Sequence, residues 1–202
     1  MNSLLPKYSV IFLDIDGVMN SDQYNRYKYK HHIRKWGSID PRECYRMARF
    51  CKKYNIRLVI SSSWRNGNSW EATYKEFMNE GFEDLPYRHH GMKVLAPYII
   101  GVTPYCESRN RGEEIQAFFD IIDGKYPEYK KVIKDDFEIS SYCIVDDDND
   151  MLESQMNNFV QTNPLIGLTR KNYNEILWIL YRQEYKKCRE DFEVFKKYIK
   201  QL

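Results

Sequence analysis

An apolar run that ends in acids, VIFLDIDGV at residues 10–18, limits the possible folds more than any other stretch of this chain. Val, Ile and Phe favour a β-strand, the strand delivers Asp14 and Asp16, and Gly17 then lets the backbone turn sharply. Apolar strands recur as RLVISSS at 57–63, SSYCIVDDD at 140–148 and NNFVQT at 157–162. Helical spacing fills the gaps, in PRECYRMARFCKKY at 41–54, from Trp70 to about Glu80, and in RGEEIQAFFDII at 111–122. Asp40, Pro41 and Glu43 make a good start for the first of these helices: an N-cap side chain, a first-turn proline and an acid near the positive end of the dipole. Strands alternating with helices predict an α/β fold on a central parallel sheet.

Residues 81–110 are less regular and carry Pro86, Gly91, Pro97 and Pro104 around APYIIGV, where a short strand is expected within loops. From Lys171 onward Ile176, Leu177, Leu180, Cys188, Phe192, Phe195, Ile199 and Leu202 keep helical spacing with no Gly or Pro, which predicts one long helix or two in succession. The last five are separated by steps of four and three, as in a coiled-coil seam. A helix folded back on its own domain is the preferred reading, and a homodimer contact the alternative. The expected organisation is one domain over residues 1–182, with a basic cap or loop insert at 24–38 and an irregular insert at 81–110, followed by an amphipathic helix at 183–202.

With 43% hydrophobic and 15% aromatic residues the chain can pack a core, so a disordered chain is excluded. No run approaches the length of a membrane span and no signal-like segment opens the sequence, so no membrane partner and a cytoplasmic location are expected. Cys44, Cys51, Cys106, Cys143 and Cys188 are scattered and never in C-x-x-C spacing, which argues against a disulfide framework or a zinc site and for reduced thiols, several in the core.

In a parallel sheet, chemistry collects at the carboxyl ends of the strands. Burying Asp14 and Asp16 there is costly unless donors or a cation satisfy them. Magnesium suits such a site because it takes oxygen ligands and leaves positions for a phosphate, and a carboxylate can attack phosphorus to form an aspartyl-phosphate. Ser61, Ser62 and Ser63, followed by Trp64 and Arg65, supply hydroxyls and N–H groups for a phosphoryl oxygen at a second strand end. Arg109 and Arg111 place positive charge at a helix start, where the dipole disfavours it and a transition state could use it. Asp146, Asp147, Asp148 and Asp150 crowd a further strand end and repel one another without cations. Asp146, Asp148 and Asp150 imitate the opening of a calcium EF-hand, but Met151 stands where its glycine belongs and Asn157 where its bidentate Glu belongs.

The order D-x-D, Ser, Arg, acidic strand end resembles the phosphatases of the haloacid dehalogenase (HAD) superfamily. A response-regulator receiver uses similar residues in a different order. DIDGVMN, ISSSWR, GVTP, RGEEI, IVDDDNDM and FVQTNPLIGLT together resemble the HAD branch found in "Swiss army knife" RNA-repair proteins, over roughly residues 8–180. The resemblance implies a three-layer Rossmann-like fold with a small or minimal cap and a C-terminal helical extension. It implies Asp14 as nucleophile, Asp16 as general acid and base, Ser62 as the phosphate-binding hydroxyl and Arg111 as the cationic residue. Mg²⁺ would be held by Asp14, the backbone carbonyl of Asp16 and Asp146, with Asp150 in support and Asp147 as an alternative register. Ser61, Ser63, Arg65 and Arg109 remain candidates for substrate binding.

Residues 24–36, YNRYKYKHHIRKW, follow the nucleophile strand and contain no acid. Cations interleaved with aromatic rings suit a nucleic-acid strand, which makes Lys28 and Arg34 substrate-binding candidates; a solvated loop with locally packed rings is the alternative. The expected function is hydrolysis of phosphomonoesters, on nucleotides or polynucleotide 3′ ends. A small-metabolite phosphatase or phosphotransferase, or a non-catalytic phosphate- or nucleic-acid-binding module, is the competing reading. Neither a P-loop nor a G-x-G-x-x-G occurs among the 202 residues, so kinase and dinucleotide chemistry are not expected of this chain.

Overall fold

The structure is a computed structural model that describes residues 5–31, 39–78 and 92–199, with side chains up to 187 and at 189. Five strands form one all-parallel sheet: β1 (Lys7–Leu13), β2 (Ile56–Ile60), β3 (Ile99–Val102), β4 (Glu138–Asp146) and β5 (Phe159–Gln161), in the order β3-β2-β1-β4-β5. The chain builds outward from β1 to β3, then returns to lay β4 on the other side of β1. That reversal opens a crevice at the carboxyl ends of β1 and β4, where α/β sheets bind ligands. Leu13 is in register with both Ile60 and Val145, so Asp14, Ser61 and Asp146 all begin at the same level.

The helices are α1 (Asp22–Lys30), α2 (Pro41–Tyr54), α3 (Trp70–Met78), the short α4 (Met92–Leu95), α5 (Arg111–Ile122) and α6 (Arg170–Ile199). The expected cap of α2 is present, with Asp40 accepting from the Arg42 N–H at 2.9 Å, and Asn55 closes the helix in the left-handed region. Phe12 packs on Phe118 and Phe119 of α5, while Phe50 of α2 meets Tyr173 of α6 at 4.9 Å. Helices therefore cover both faces of the sheet, and each fully buried side chain such as Phe12, Leu13 or Leu58 contributes about 1.5–3 kcal/mol.

Several boundaries differ from the sequence reading. The strand expected at 57–63 ends at Ile60, and the one expected to reach Asp148 ends at Asp146. The basic segment expected as a loop is helical as far as Lys30, since Ser21 caps α1 by accepting from the Tyr24 N–H. From residue 32 on, the segment, including Arg34, lies outside the described residues. So do the expected end of α3 near Glu80 and residues 81–91 of the irregular segment; from residue 92 that segment forms α4, a 3₁₀ turn and β3. α6 is one continuous helix, and residues 182 and 183 both lie inside it. Among the described residues Cys44, Cys51, Cys106 and Cys143 are free thiols, all but Cys106 buried, and no helix is long and apolar enough to cross a membrane.

Candidate active site

β1 hands its ladder to the site. The Asp14 N–H donates to the Val145 carbonyl at 3.0 Å, and the Ile15 carbonyl then accepts from the N–H groups of Val18, Met19 and Asn20, which coils the next residues into a tight turn. Gly17 sits at the apex with φ +67°, and a Cβ there would lie 2.3 Å from the Asp147 carboxyl group. Glycine thus serves twice, for the turn and for the close approach of an acid from β4. The Thr162 hydroxyl donates to the Gly17 carbonyl at 3.0 Å and ties the turn to the end of β5.

Asp14 and Asp146 are almost fully buried, Asp147 partly so, and each offers a carboxylate oxygen within 4.8 Å of the others. Arg111 reaches into this cluster from the first turn of α5. Its Nε donates to Asp146 Oδ2 at 3.2 Å, and Nη2 lies 3.5 Å from Asp14 Oδ1. Burial drives the Asp14 carboxyl far above the usual carboxylate range, the Asp146 charge adds to this, and Arg111 and the Ser62 hydroxyl oppose it. Asp146 is likewise raised by burial, with Arg111 pulling the other way. Three carboxylates facing one guanidinium leave two negative charges in excess, which one divalent cation would balance. An all-oxygen donor set of this size fits Mg²⁺.

Asp16 has a different setting. Its carboxylate is exposed at the rim, where Oδ2 accepts from Trp64 Nε1 at 2.6 Å and Oδ1 from Asn20 Nδ2 at 3.3 Å. Its side chain stands outside the trio of Asp14, Asp146 and Asp147. Ser62 is fully buried, and its hydroxyl faces the Asp14 carboxyl and opposes the rise in its pKa. Ser61 is also buried, its hydroxyl 3.4 Å from that of Thr103 at the end of β3, whereas Ser63 is exposed.

Four expected site residues are not part of the buried trio of Asp14, Asp146 and Asp147. Asp150 was grouped with the metal ligands, but it caps α5: Oδ2 accepts from the Arg111 N–H at 2.9 Å and its carbonyl accepts from Gly112. A helix start with unpaired N–H groups attracts such an acid. Gly112 has no room for a side chain there, because a Cβ would meet the Leu152 nitrogen at 2.4 Å. Arg65, a candidate for substrate binding, is buried and turned inward, with Nη2 2.6 Å from Glu114, Nη1 2.7 Å from the Ser62 carbonyl, and its guanidinium stacked 3.9 Å above the Tyr105 ring. Arg109 is exposed on the loop before α5, with a positive φ of 55°. Lys28 is 6% exposed; burial lowers its pKa, and the charges of Asp16 and Asp40 raise it, so its ammonium lies on the inner side of α1 in the field of both acids.

Sequence reasoning missed Glu114 and the role of Trp64. Glu114 bridges Arg65 and Arg111, with Oε2 accepting from Arg111 Nη1 at 3.1 Å. It therefore couples the Ser62 loop to the guanidinium that faces Asp14. Its spacing of three from Arg111 was visible as a possible helix pair, but nothing in the sequence announced Arg65 as its second partner.

An aspartate-bearing strand end at a topological reversal, a serine loop, a cationic helix start and an acidic strand end share one crevice of a Rossmann-like fold. The chain belongs to the family described as the HAD domain in Swiss Army Knife RNA repair proteins, which matches residues 10–173. Membership implies hydrolase or phosphatase-type activity. Comparison with curated proteins and with solved structures finds no significant match.

Proposed function

We propose that this protein is a Mg²⁺-dependent phosphomonoesterase that works through an aspartyl-phosphate on Asp14. The observation that carries this reading is the Asp14 carboxylate held in a buried pocket between Ser62, Arg111 and two further acids. Asp14, Asp146 and Asp147 would hold the cation, which supplies charge neutralisation on the phosphoryl oxygens. Asp14 attacks phosphorus, the bond to the ester oxygen breaks, and Asp16 delivers a proton to the departing alkoxide. Asp16, left as a carboxylate, then takes a proton from the water that cleaves the Asp14 acyl phosphate, releasing phosphate and restoring the Asp14 carboxylate and the Asp16 acid. Its exposed position suits both steps, and the bonds from Trp64 and Asn20 hold it in place.

Arg111 offsets the negative charge of the five-coordinate phosphorus, and the Ser62 hydroxyl donates to a phosphoryl oxygen. For the substrate, a nucleotide or a polynucleotide end is the preferred class. The exposed Arg26, Lys30 and Tyr29 of α1, the helix that follows the Asp16 turn, support this reading, because such a combination suits phosphates and stacking bases. Tyr27 is partly committed locally, its ring 4.3 Å from that of His31.

The test is a substrate panel with purified protein in Mg²⁺, scoring phosphate release from 3′-phosphorylated oligonucleotides, mononucleotides, sugar phosphates and a generic aryl phosphate. Release from all but the sugar phosphates is expected, with oligonucleotides best. Sugar phosphates used equally well would discard the nucleic-acid substrate, and no Mg²⁺-dependent release from any member would discard the phosphatase.

A further inference from the structure

The family match stops at residue 173, and most of α6 lies beyond it. We propose that α6 pairs with α6 of a second copy of this chain as a parallel two-stranded coiled coil. The helix has 30 residues and so spans about 45 Å. Its first half is rooted on β4 and β5: Ile176, Ile179 and Leu180 are buried, and Gln183 exchanges hydrogen bonds with the backbone of Tyr142 at 3.1 and 2.8 Å. The opposite face carries Trp178, Tyr181 and Tyr185, which are 62, 59 and 58% exposed, and the last two rings stack at 6.1 Å.

These three aromatic residues are separated by steps of three and four. In sequence the same alternation continues unbroken through Cys188, Phe192, Phe195, Ile199 and Leu202. The eight positions follow a heptad a/d pattern with Trp178 at a, the repeat that supercoils two helices around each other. The apolar surface also extends beyond the helix, because Trp178 and Tyr181 line a groove of about 440 Å³ together with Tyr54 and Ile56. Single exposed aromatics are ordinary, but a continuous stripe of them marks an interaction surface.

Charge selects the occupant and its direction. The e positions are Arg182, Arg189 and Lys196, all basic; the g positions Glu184 and Asp191 are acidic. In a parallel pair each g faces the e five residues later on the other helix, which sets Glu184 opposite Arg189 and Asp191 opposite Lys196. In an antiparallel pair e meets e and g meets g, and like charges confront each other. At the root of the helix, Arg182 is anchored to the Asn157 carbonyl, and Glu184 accepts from the Ser9 hydroxyl at 2.7 Å, which fixes the stripe relative to the domain.

Sedimentation velocity on the full chain tests this. The expected species has twice the 24.5 kDa chain mass. Trp178→Lys combined with Tyr185→Glu changes only exposed side chains, and it should raise the dissociation constant by roughly 100-fold or more with an unchanged circular dichroism spectrum. Asp191→Lys and Lys196→Glu should each weaken self-association, and mixing the two variants should restore a heterodimer tighter than either homodimer. A wild-type chain that stays monomeric at every concentration, or a dimer indifferent to the double substitution, overturns the proposal. Charge variants that gain nothing on mixing overturn the parallel pairing.

Discussion

The carboxyl ends of β1 and β4 and the outer face of α6 depart from the usual distribution of side chains in opposite directions. At the strand ends Asp14 and Asp146 are 6% and 3% exposed, whereas on the helix Trp178 is 62% exposed. Charged groups are ordinarily outside and large aromatic rings inside. The consequences for folding differ. Burying carboxylates disfavours their ionised form and makes the site depend on every partner that offsets the cost. An aromatic ring exposed in both the folded and the unfolded chain costs the monomer little. One region is therefore expected to be intolerant of substitution and the other tolerant; the proposed cation accounts for the first departure and the proposed second helix for the other.

The largest expected break in this contrast is Asp14→Asn. Turnover of an aryl phosphate should fall by about 10³-fold or more, while the cation-free protein keeps its fold and gains stability, because an acid whose charged form burial disfavours is gone. Retained turnover would remove Asp14 from the reaction. Next in size, Glu114→Ala leaves the Arg65 guanidinium buried without its carboxylate and should cost about 3–5 kcal/mol in urea denaturation. A loss under about 1 kcal/mol would mean that the network relaxes and does not tie the Ser62 loop to Arg111.

The cation dependence carries a sign. Asp14 and Asp146 have raised pKa values in the folded chain, so the folded state holds more protons than the unfolded state above the ordinary carboxylate range. Stability of the cation-free protein then falls as pH rises through that range toward neutrality. Mg²⁺ binds the ionised carboxylates, so its stabilising effect should be larger at about pH 8 than at about pH 6, as read by thermal melts with Mg²⁺ or a chelator. An equal shift at both values would argue against these acids as the ligands. A smaller effect is expected from Trp64→Phe, which removes the donor to Asp16; loss of one hydrogen bond to a charged group should lower kcat roughly tenfold and leave the melting temperature nearly unchanged. Smallest of all, Trp178→Lys should move monomer stability by no more than about 0.5 kcal/mol, and a large destabilisation would show that the α6 stripe packs on its own domain.

Local pattern carried most of the fold. The apolar runs ending in Asp14, Ser62 and Asp146 predicted strands whose ends face one crevice, and the cap at Asp40 was readable from three adjacent residues. Helical spacing anticipated α2, α5 and α6, although it could not say that Ser21 starts a helix inside a segment rich in charge and aromatic rings. What the spacing of residues left open was partnership. Asp150, expected in support of the metal, caps a helix; Arg65, expected at the substrate, is half of a buried ion pair; Glu114, which no expectation named, is its other half.

Sequence alone determined which residue types stand at the strand ends, the order in which they occur, and the helical spacing of α6, because these depend on periodicities of two and 3.6 that neighbouring residues set. Only the tertiary structure decided which acids converge, which arginine faces them and which is neutralised behind them. Asp14 and Arg111 are 97 residues apart, and Arg111 and Asp146 are 35 apart. They meet because β4 returns to the side of β1 opposite β2, and strand order is set by packing across the whole sheet.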